Sequence, residues 1–244
     1  AICMALYKIV CLIHKFSVMK NYLLLFWAFL FFACNNSGQQ TGDAGKKDTA
    51  SKALQPDKQT TAFKVLSFDK NEHFFEDSIK GTVVEGFSWR DAESEHRVLF
   101  TTVPVKMNKN GRQSGAVYAY CFIQSGGAWQ KEWEVKDRID DCEVDATCEF
   151  LPNSFTVTDN DNNGLGEVCF LYKLSCKGDV SPDEKKLIMY EGANKYAIRG
   201  STILEYNGSK EGGDKKIDAS FTKAAKPLLD FANSQWDKFG ITKY

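Results

Sequence analysis

The chain has 244 residues, of which 43% are hydrophobic and 26% are charged, and this composition favours one globular domain with tails over two domains. The formal net charge is −1, and no basic patch of the kind that a phosphate backbone requires stands out. Nucleic-acid binding is therefore not expected.

The N-terminal region has the organisation of a bacterial lipoprotein signal peptide. Lys20 precedes an apolar run over residues 22–33, and Cys34 follows at once. A basic start, a short apolar segment and a small residue before the cut are the parts of a signal peptide. The junction resembles a lipobox, with Phe31 where the box usually has Leu. An ordinary secretory signal or an uncleaved anchor is the alternative.

Met19 begins a complete signal by itself, so we expect residues 1–18 to be an upstream extension and residues 19–33 to be the signal peptide. An unusually long basic region is the alternative for 1–18. Acylated Cys34 then holds the chain on the lipid bilayer. Residues 34–62 contain one Leu and no aromatic side chain, which predicts a disordered tether.

Residues 63–244 are predicted to form a β-rich globular domain. Turn residues 125–127 and 191–194 each separate two strand patterns and predict hairpins. In the first strand pattern, Val83, Phe87 and Trp89 are expected on one face. Further along the chain, three apolar residues alternate with three polar ones, which predicts a half-buried strand; these are Trp129, Trp133 and Val135 with Gln130, Glu132 and Glu134.

One helix is predicted at the end of the chain. Apolar residues recur there at steps of three and four, with Pro227 in the first turn; they are Phe221, Ala225, Leu228, Ala232, Trp236 and Phe239. The predicted fold class is mainly β: an antiparallel β meander of about eight to ten strands with one C-terminal α-helix. A barrel, a sandwich and a partial propeller-like arrangement all remain open.

An acidic loop at residues 159–167 carries the clearest chemical motif, D-x-D-x-N-G-x-x-E. Oxygen donors at alternate positions suit a hard cation, and a glycine permits the sharp turn between them. Phe170 stands where an EF-hand has its last Glu, so the loop instead resembles the calcium loops of integrin-type propeller blades. We expect a calcium site, with a plain hairpin loop as the alternative. The expected ligands are the side chains of Asp159, Asp161, Asn163 and Glu167 and the carbonyl of Leu165.

Five cysteines follow Cys34, and disulfides are expected outside the cytoplasm. If residues 142–150 run antiparallel to 168–176, Cys142 faces Cys176 and Cys148 faces Cys169. Facing residues of a regular antiparallel pair share one sum of residue numbers, but the sums for these two cysteine pairs differ by one. Both bridges together therefore need a bulge, or one of the cysteines must lie in a loop. We favour Cys142–Cys176, and we expect Cys121 to stay free and buried. Zinc is disfavoured because His73 and His96 are the only histidines after the signal.

Enzyme motifs for a serine nucleophile, a zinc protease, a P-loop or a dinucleotide are not found. Two carboxylates about 5–9 Å apart are enough for glycoside hydrolysis, and loop acids that could supply them are Asp140, Asp141, Asp145, Asp179 and Asp183. The aromatic side chains Trp89, Trp129 and Trp133 suit either sugar stacking or the core. A catalytic pair is not predicted.

Several motifs between residues 140 and 200 are distinctive; they include Asp141-Cys142, Val144-Asp145, the acidic loop, Gly178-Asp179-Val180-Ser181-Pro182, 187–192 and 195–200. They resemble a family of Bacteroidetes lipoproteins labelled surface polysaccharide biosynthesis protein, over roughly residues 80–240. Cys142 and Cys176 match the family pattern, which supports their bridge, whereas Cys121, Cys148 and Cys169 look like additions. The motif at 178–182 fits a tight turn and a functional loop equally.

The resemblance implies an outer-membrane lipoprotein of the cell envelope, and we expect it to face the periplasm. It also implies a link to surface polysaccharide of the lipopolysaccharide type. Because no nucleophile or metal-catalysis motif is found, we expect a non-enzymatic binding or assembly role in its biosynthesis, with surface glycan or envelope proteins as partners. The alternative is a carboxylate-dependent carbohydrate-active enzyme of the periplasm.

Overall fold

The computed structural model describes residues 62–69 and 78–243. The predictions for the extension, the signal peptide, Cys34 and nearly all of the tether lie outside these residues. Within the described ranges, no helix has the length and apolar character that crossing a bilayer requires.

The first sheet has five strands in the order of the chain, each antiparallel to the next. Turns at residues 108–112 and 126–127 connect its longest strands, and positive φ at Gly111, Gly126 and Gly127 closes them. The strands are β1 (Lys64–Leu66), β2 (Thr82–Arg90), β3 (Glu95–Met107), β4 (Gln113–Ser125) and β5 (Ala128–Cys142).

The second sheet has six strands, with the order β13-β10-β9-β8-β6 and β7 paired to β8. It consists of β6 (Asp145–Phe150), β7 (Thr156–Thr158), β8 (Glu167–Lys177), β9 (Glu184–Glu191), β10 (Asn194–Ser201) and β13 (Lys215–Ile217). A small third sheet joins β11 (Ile203–Tyr206) to antiparallel β12 (Ser209–Gly212) and parallel β14 (Ile241–Lys243). The hairpin predicted around 191–194 is confirmed.

The predicted C-terminal helix is confirmed as α1 (Lys226–Lys238), which follows a 3₁₀ turn at Ala219–Lys223. Pro227 lies in the first turn of α1, where its missing N–H costs nothing. Leu228, Ala232 and Trp236 pack on the outer face of the second sheet, in one cluster with residues such as Leu187. The apolar stripe therefore covers one face of the sheet.

The main core lies between the two large sheets, because strands of both contribute inward side chains to one cluster. These include Phe100, Val117 and Val135 from the first sheet and Phe170 and Tyr190 from the second. The predicted fold class is confirmed: the chain is mainly β with antiparallel sheets and one helix near the C-terminus, and the described residues form no closed barrel. The described residues contain 14 strands, more than the eight to ten expected, because several short strands pair at the sheet edges.

Two β-bulges correct the predicted faces of two strands. In β2 the pairing with β3 shifts between Val83 and Glu85, so Val83 packs on the outer face whereas Phe87 and Trp89 belong to the core. In β5, Glu132 is the extra residue, because Trp133 pairs with Cys121 and Lys131 pairs with Phe122. Trp129 therefore lies on the outer face and Trp133 in the core, and each bulge reverses the alternation.

Cys142 and Cys176 form a disulfide with an S–S distance of 2.05 Å. Cys142 ends β5 and Cys176 lies in β8, so the bridge joins the two large sheets. The expected pairing of Cys148 with Cys169 is wrong. Cys148 pairs with Leu174 and faces the inter-sheet core, whereas Cys169 faces the helix side of the same sheet. A bridge between them would have to pass through the sheet.

Candidate functional site

The acidic loop connects β7 to β8 and is bent by two residues with left-handed backbone, Asn162 (φ 57°) and Gly164 (φ 85°). Asp159 holds this bend, because its two carboxylate oxygens accept the backbone N–H groups of Asn163 and Gly164. Asp161 also accepts the N–H of Asn163. The sequence folds in this way because short acidic side chains bond to backbone a few residues ahead.

Three of the five predicted ligands come together. One carboxylate oxygen each of Asp159, Asp161 and Glu167 lies within 4.8 Å of the others. Asn163 is exposed, and its amide nitrogen donates to Asp161 and Glu191. Leu165 is half-buried in the loop, and its N–H donates to the amide oxygen of Asn163. The loop therefore presents a carboxylate cluster.

Glu167 is the buried member of this cluster, with 0% of its surface exposed. Its Oε2 accepts the backbone and side-chain N–H groups of Asn160 and the hydroxyl of Thr158. Its Oε1 has no hydrogen-bond partner among the described residues. Burial, with the charges of Asp161 and Asp159, raises the pKa of Glu167 to about 7. A cation bound here would supply the partner that Oε1 lacks.

Sequence reasoning missed Asp91, which connects the β2–β3 turn to the acidic loop. Its Oδ2 accepts from Trp89 Nε1 at 3.1 Å and from the N–H of Gly166 at 3.2 Å. Its Oδ1 is 3.2 Å from His96 Nε2 and accepts the backbone N–H groups of Glu93 and Ser94. The neighbouring Ala92 N–H donates to the carbonyl of Gly164. The turn thus holds the loop from the side of the first sheet.

His96 extends this network into the core. Its ring stacks on Trp89 with centroids 4.9 Å apart, and 2% of the residue is exposed. Burial lowers the pKa of His96, but the hydrogen bond to Asp91 and the charges of Asp91 and Glu132 outweigh burial and raise it to about 9. Cys121, which is fully buried, donates to Glu132 over 3.7 Å. Burial, together with Glu132, raises the pKa of this thiol.

A polar cleft with a volume of about 370 Å³ lies near the far end of β8. Residues 178–181 of the motif at 178–182 line one side, so this turn borders a cavity. Three of the five candidate acids, Asp145, Asp179 and Asp183, also line it, together with Lys173 and Lys177 and with Thr147, Ser175, Thr202, Leu204 and Thr242. A second cavity adjoins the cleft along Val180 and Leu204 and includes Tyr206.

Asp183 in the cleft is paired with two cations. Lys177 lies 2.6 Å and Lys173 lies 3.3 Å from its carboxylate oxygens. Burial raises the pKa of Asp183, but hydrogen bonds from Lys177 and Ser175 and the charge of Lys173 bring it below its ordinary value. The cleft therefore contains a carboxylate whose pKa is lowered and whose charge is already balanced by lysines.

Two of the three tryptophans considered for sugar stacking are core residues. Trp89 is buried, and Trp133 stacks on Tyr190 with ring centroids 4.0 Å apart. Trp129 is half-buried on the outer face, beneath the guanidinium of Arg97. None of the three lines the cleft. Comparison of the chain with family models, with curated proteins and with solved structures finds no match in any of the three.

Proposed function

We propose that this chain is a cell-envelope lipoprotein, anchored by acylated Cys34, that binds surface polysaccharide during its biosynthesis without cleaving it. The observation that carries this proposal is the cleft of about 370 Å³ with its polar lining. Its size falls within the range of ligand sites, about 300–1,000 Å³. Periplasm-facing attachment to the outer membrane belongs to the same proposal.

The chemistry of the cleft suits a sugar. Thr147, Ser181 and Thr242 are half-buried residues of its lining, and hydroxyl groups donate and accept as sugar hydroxyls do. Lys173 and Lys177 are already paired with Asp183, so they offer N–H donors without free positive charge, which suits a neutral or weakly charged sugar. Tyr206 is 54% exposed beside the adjoining cavity and offers an aromatic face for a sugar ring.

A carbohydrate-active enzyme is the second candidate, and the three acids in the cleft favour it. A glycosidase, however, needs a carboxylic acid that stays protonated near neutral pH to serve as its general acid. Asp183 does not meet this requirement, because Lys177 and Lys173 lower its pKa. The carboxyl with a pKa of about 7, Glu167, lies outside the cleft lining.

Calcium at the acidic loop completes the proposal, and its role is to stabilise the loop. The unpartnered Oε1 of Glu167, together with the carboxylates of Asp159 and Asp161, supports it. Hard oxygen donors on a flexible loop suit Ca²⁺ better than the smaller Mg²⁺.

Binding to purified lipopolysaccharide and capsular polysaccharide, measured by calorimetry with the full chain, tests the main proposal. Tyr206→Ala and Lys177→Gln should each weaken binding by about tenfold, since each removes about one good interaction. Met107→Ala is the matched control, because Met107 is an exposed side chain of the first sheet. Equal binding by all variants, or no binding by the parent, contradicts the proposal. Release of reducing sugar that disappears in Asp145→Asn or Asp179→Asn favours the enzyme.

A thermal-shift titration of the metal-stripped full chain tests calcium. At a free concentration of about 100 Kd, calcium should add about 2.7 kcal/mol to the free energy of unfolding. Asp161→Ala should abolish the shift, whereas Asp140→Ala, at an exposed aspartate of β5, should keep it. If calcium shifts the parent no more than it shifts Asp161→Ala, the acidic loop does not bind calcium and the proposal is wrong.

A further inference from the structure

We propose that His96, Cys121 and Glu132 form a binding site for one zinc ion at the end of the inter-sheet core. The site is distinct from the acidic loop and does not depend on the proposed function. It combines a ring nitrogen, a thiol sulfur and a carboxylate oxygen from three strands, β3, β4 and β5.

The spacing of the three side chains fits a tetrahedral ion. Zinc bonds of about 2.0–2.3 Å at tetrahedral angles place neighbouring ligand atoms about 3.3–3.8 Å apart. Glu132 Oε2 lies 3.7 Å from His96 Nδ1 and 3.7 Å from Cys121 Sγ. The three ligand atoms all lie within 4.8 Å of one another. Two edges of the tetrahedron therefore have the required length without any rearrangement.

His96 is oriented as a ligand. Its Nε2 is hydrogen-bonded to the carboxylate of Asp91, and Trp89 stacks on the ring, so the ring cannot turn freely. Its Nδ1 is buried and has no hydrogen-bond partner among the described residues, although it points at Glu132. Zinc-binding histidines commonly donate the second ring nitrogen to a carboxylate in this way. Zinc would satisfy the buried Nδ1.

The bulge in β5 explains how Glu132 reaches this position. In a regular strand Glu132 would face away from Trp133, as the alternation in the sequence predicts. As the extra residue of the bulge it turns toward His96 and Cys121. Bulges are often found where a side chain must be redirected into a site. The local break in the ladder thus places the third ligand.

The donor set selects the ion. Calcium and magnesium prefer oxygen donors alone, whereas thiolate and imidazole together suit zinc. A thiol nucleophile activated by His96 is excluded as the main role of Cys121, because the residue is 0% exposed and a substrate could not reach it. Glu132, whose side chain is 15% exposed, is the member of the site that reaches solvent.

The test uses the metal-stripped full chain and competition for zinc against a chromophoric chelator. The parent should bind one zinc, and cobalt(II) in its place should give a sulfur-to-cobalt charge-transfer band in the near ultraviolet. Asp91→Asn should weaken zinc binding by about 10–100-fold, the range for ligand-supporting residues. Cys121→Ala and His96→Gln should weaken it further, and Cys121→Ala should remove the charge-transfer band.

Cys169→Ala is the matched control, since Cys169 is an equally buried free thiol. It lies on the helix side of the second sheet, away from the inter-sheet core that contains Cys121. It should keep both the affinity and the cobalt band. The parent's cobalt spectrum decides even if a core variant fails to fold: a spectrum without sulfur ligation overturns the proposal. Zinc that is retained in Cys121→Ala but lost in Asp161→Ala lies in the acidic loop, and this result also overturns it.

Discussion

The buried carboxylates near the two ends of β8 differ in the charges that surround them. At the first end, Glu167 lies among Asp159 and Asp161, and its carboxylate accepts from amide and hydroxyl donors. Near the other end, about 26 Å away at about 3.3 Å per residue, Asp183 precedes β9 and is flanked by Lys173 and Lys177 of β8. The acids at the first end have only one another as charged neighbours in the loop, whereas the acid at the other end is paired with two lysines.

The pKa values of the two carboxyl groups follow this difference. Burial and like charge raise the pKa of Glu167 to about 7, whereas the lysines outweigh burial and lower that of Asp183. An end with uncompensated acid favours a cation from solution, and an end with internal ion pairs favours a neutral or weakly charged polar ligand. The same residue chemistry therefore leaves an uncompensated acidic loop at one end and a charge-balanced polar cleft at the other.

The largest expected effect concerns Asp91, which supports the acidic end. Asp91→Asn should lower the free energy of unfolding by ~3–5 kcal/mol, because it leaves His96 without its carboxylate in a buried site. The NH₂ of the new amide would also face an N–H donor of Trp89 or Gly166 or of the turn, where the carboxylate accepted a hydrogen bond. Urea denaturation measures the loss. The exposed control Asp140→Asn should change it by less than about 0.5 kcal/mol. A loss below about 1 kcal/mol for Asp91→Asn would contradict this account.

The second expected effect concerns the disulfide, which joins the two sheets. Cys142 and Cys176 are 34 residues apart, and closing a loop of this length stabilises by about 3–4 kcal/mol in the chain-entropy account. Replacing both by Ser should lower the free energy of unfolding by that amount. The parent treated with a reducing agent should unfold at the same urea concentration as the double variant. A parent unaffected by reduction would show that the bridge adds no stability.

Local patterns in the sequence predicted much of this fold. The turns at 125–127 and 191–194, the helix stripe through Leu228 and Trp236 and the contiguous acidic loop each depend on neighbouring residues, so a single segment contains the whole signal. The pairing of Cys142 with Cys176 was also predicted, although the reason was partly wrong. Residues 142–150 are not one strand, because β5 ends at Cys142 and β6 begins at Asp145.

What could not be predicted depends on partner strands. The bulge at Glu132 is defined by the pairing of its two neighbours with β4, and its own segment reads as regular alternation. Asp91 and Gly166 are 75 residues apart, so nothing local links them. The misplaced pairing of Cys148 with Cys169 has the same origin, since the true register, with Cys148 opposite Leu174, comes from the assembled sheet.

The third expected effect tests the compensated end. Asp183→Asn should lower the free energy of unfolding at neutral pH by about 1–3 kcal/mol, the cost of leaving two partly buried lysines without this acceptor. The pKa of Asp183 is lower in the folded protein than its ordinary value of 3.8. Its contribution is therefore present above pH 3.8 and is lost as the pH falls through the lowered folded value.

The thermal midpoint of the parent should accordingly fall on acidification below pH 3.8 more steeply than that of Asp183→Asn. Lys177→Gln supplies the matched variant, because it keeps Asp183 but removes the closer cation. It should also flatten the acid limb, although less, since Lys173 remains. Parallel pH profiles for the parent and Asp183→Asn would show that the two ends of β8 do not differ in the way described.

The smallest expected effect has the opposite sign and tests the uncompensated end. In the metal-free chain above pH 7, where Glu167 is mostly ionised, Asp161→Asn should raise the free energy of unfolding by about 1 kcal/mol, because it removes one of three like charges within 4.8 Å. The side-chain oxygen of the new Asn can still accept the backbone N–H of Asn163. Its side-chain nitrogen cannot accept the amide N–H of Asn163, but that amide is exposed, so the lost hydrogen bond costs little. Saturating calcium should reverse the order, so that the parent becomes the more stable protein. If Asp161→Asn is less stable than the parent without metal, the acids at this end are held by their hydrogen bonds, and the loop has no need of a cation.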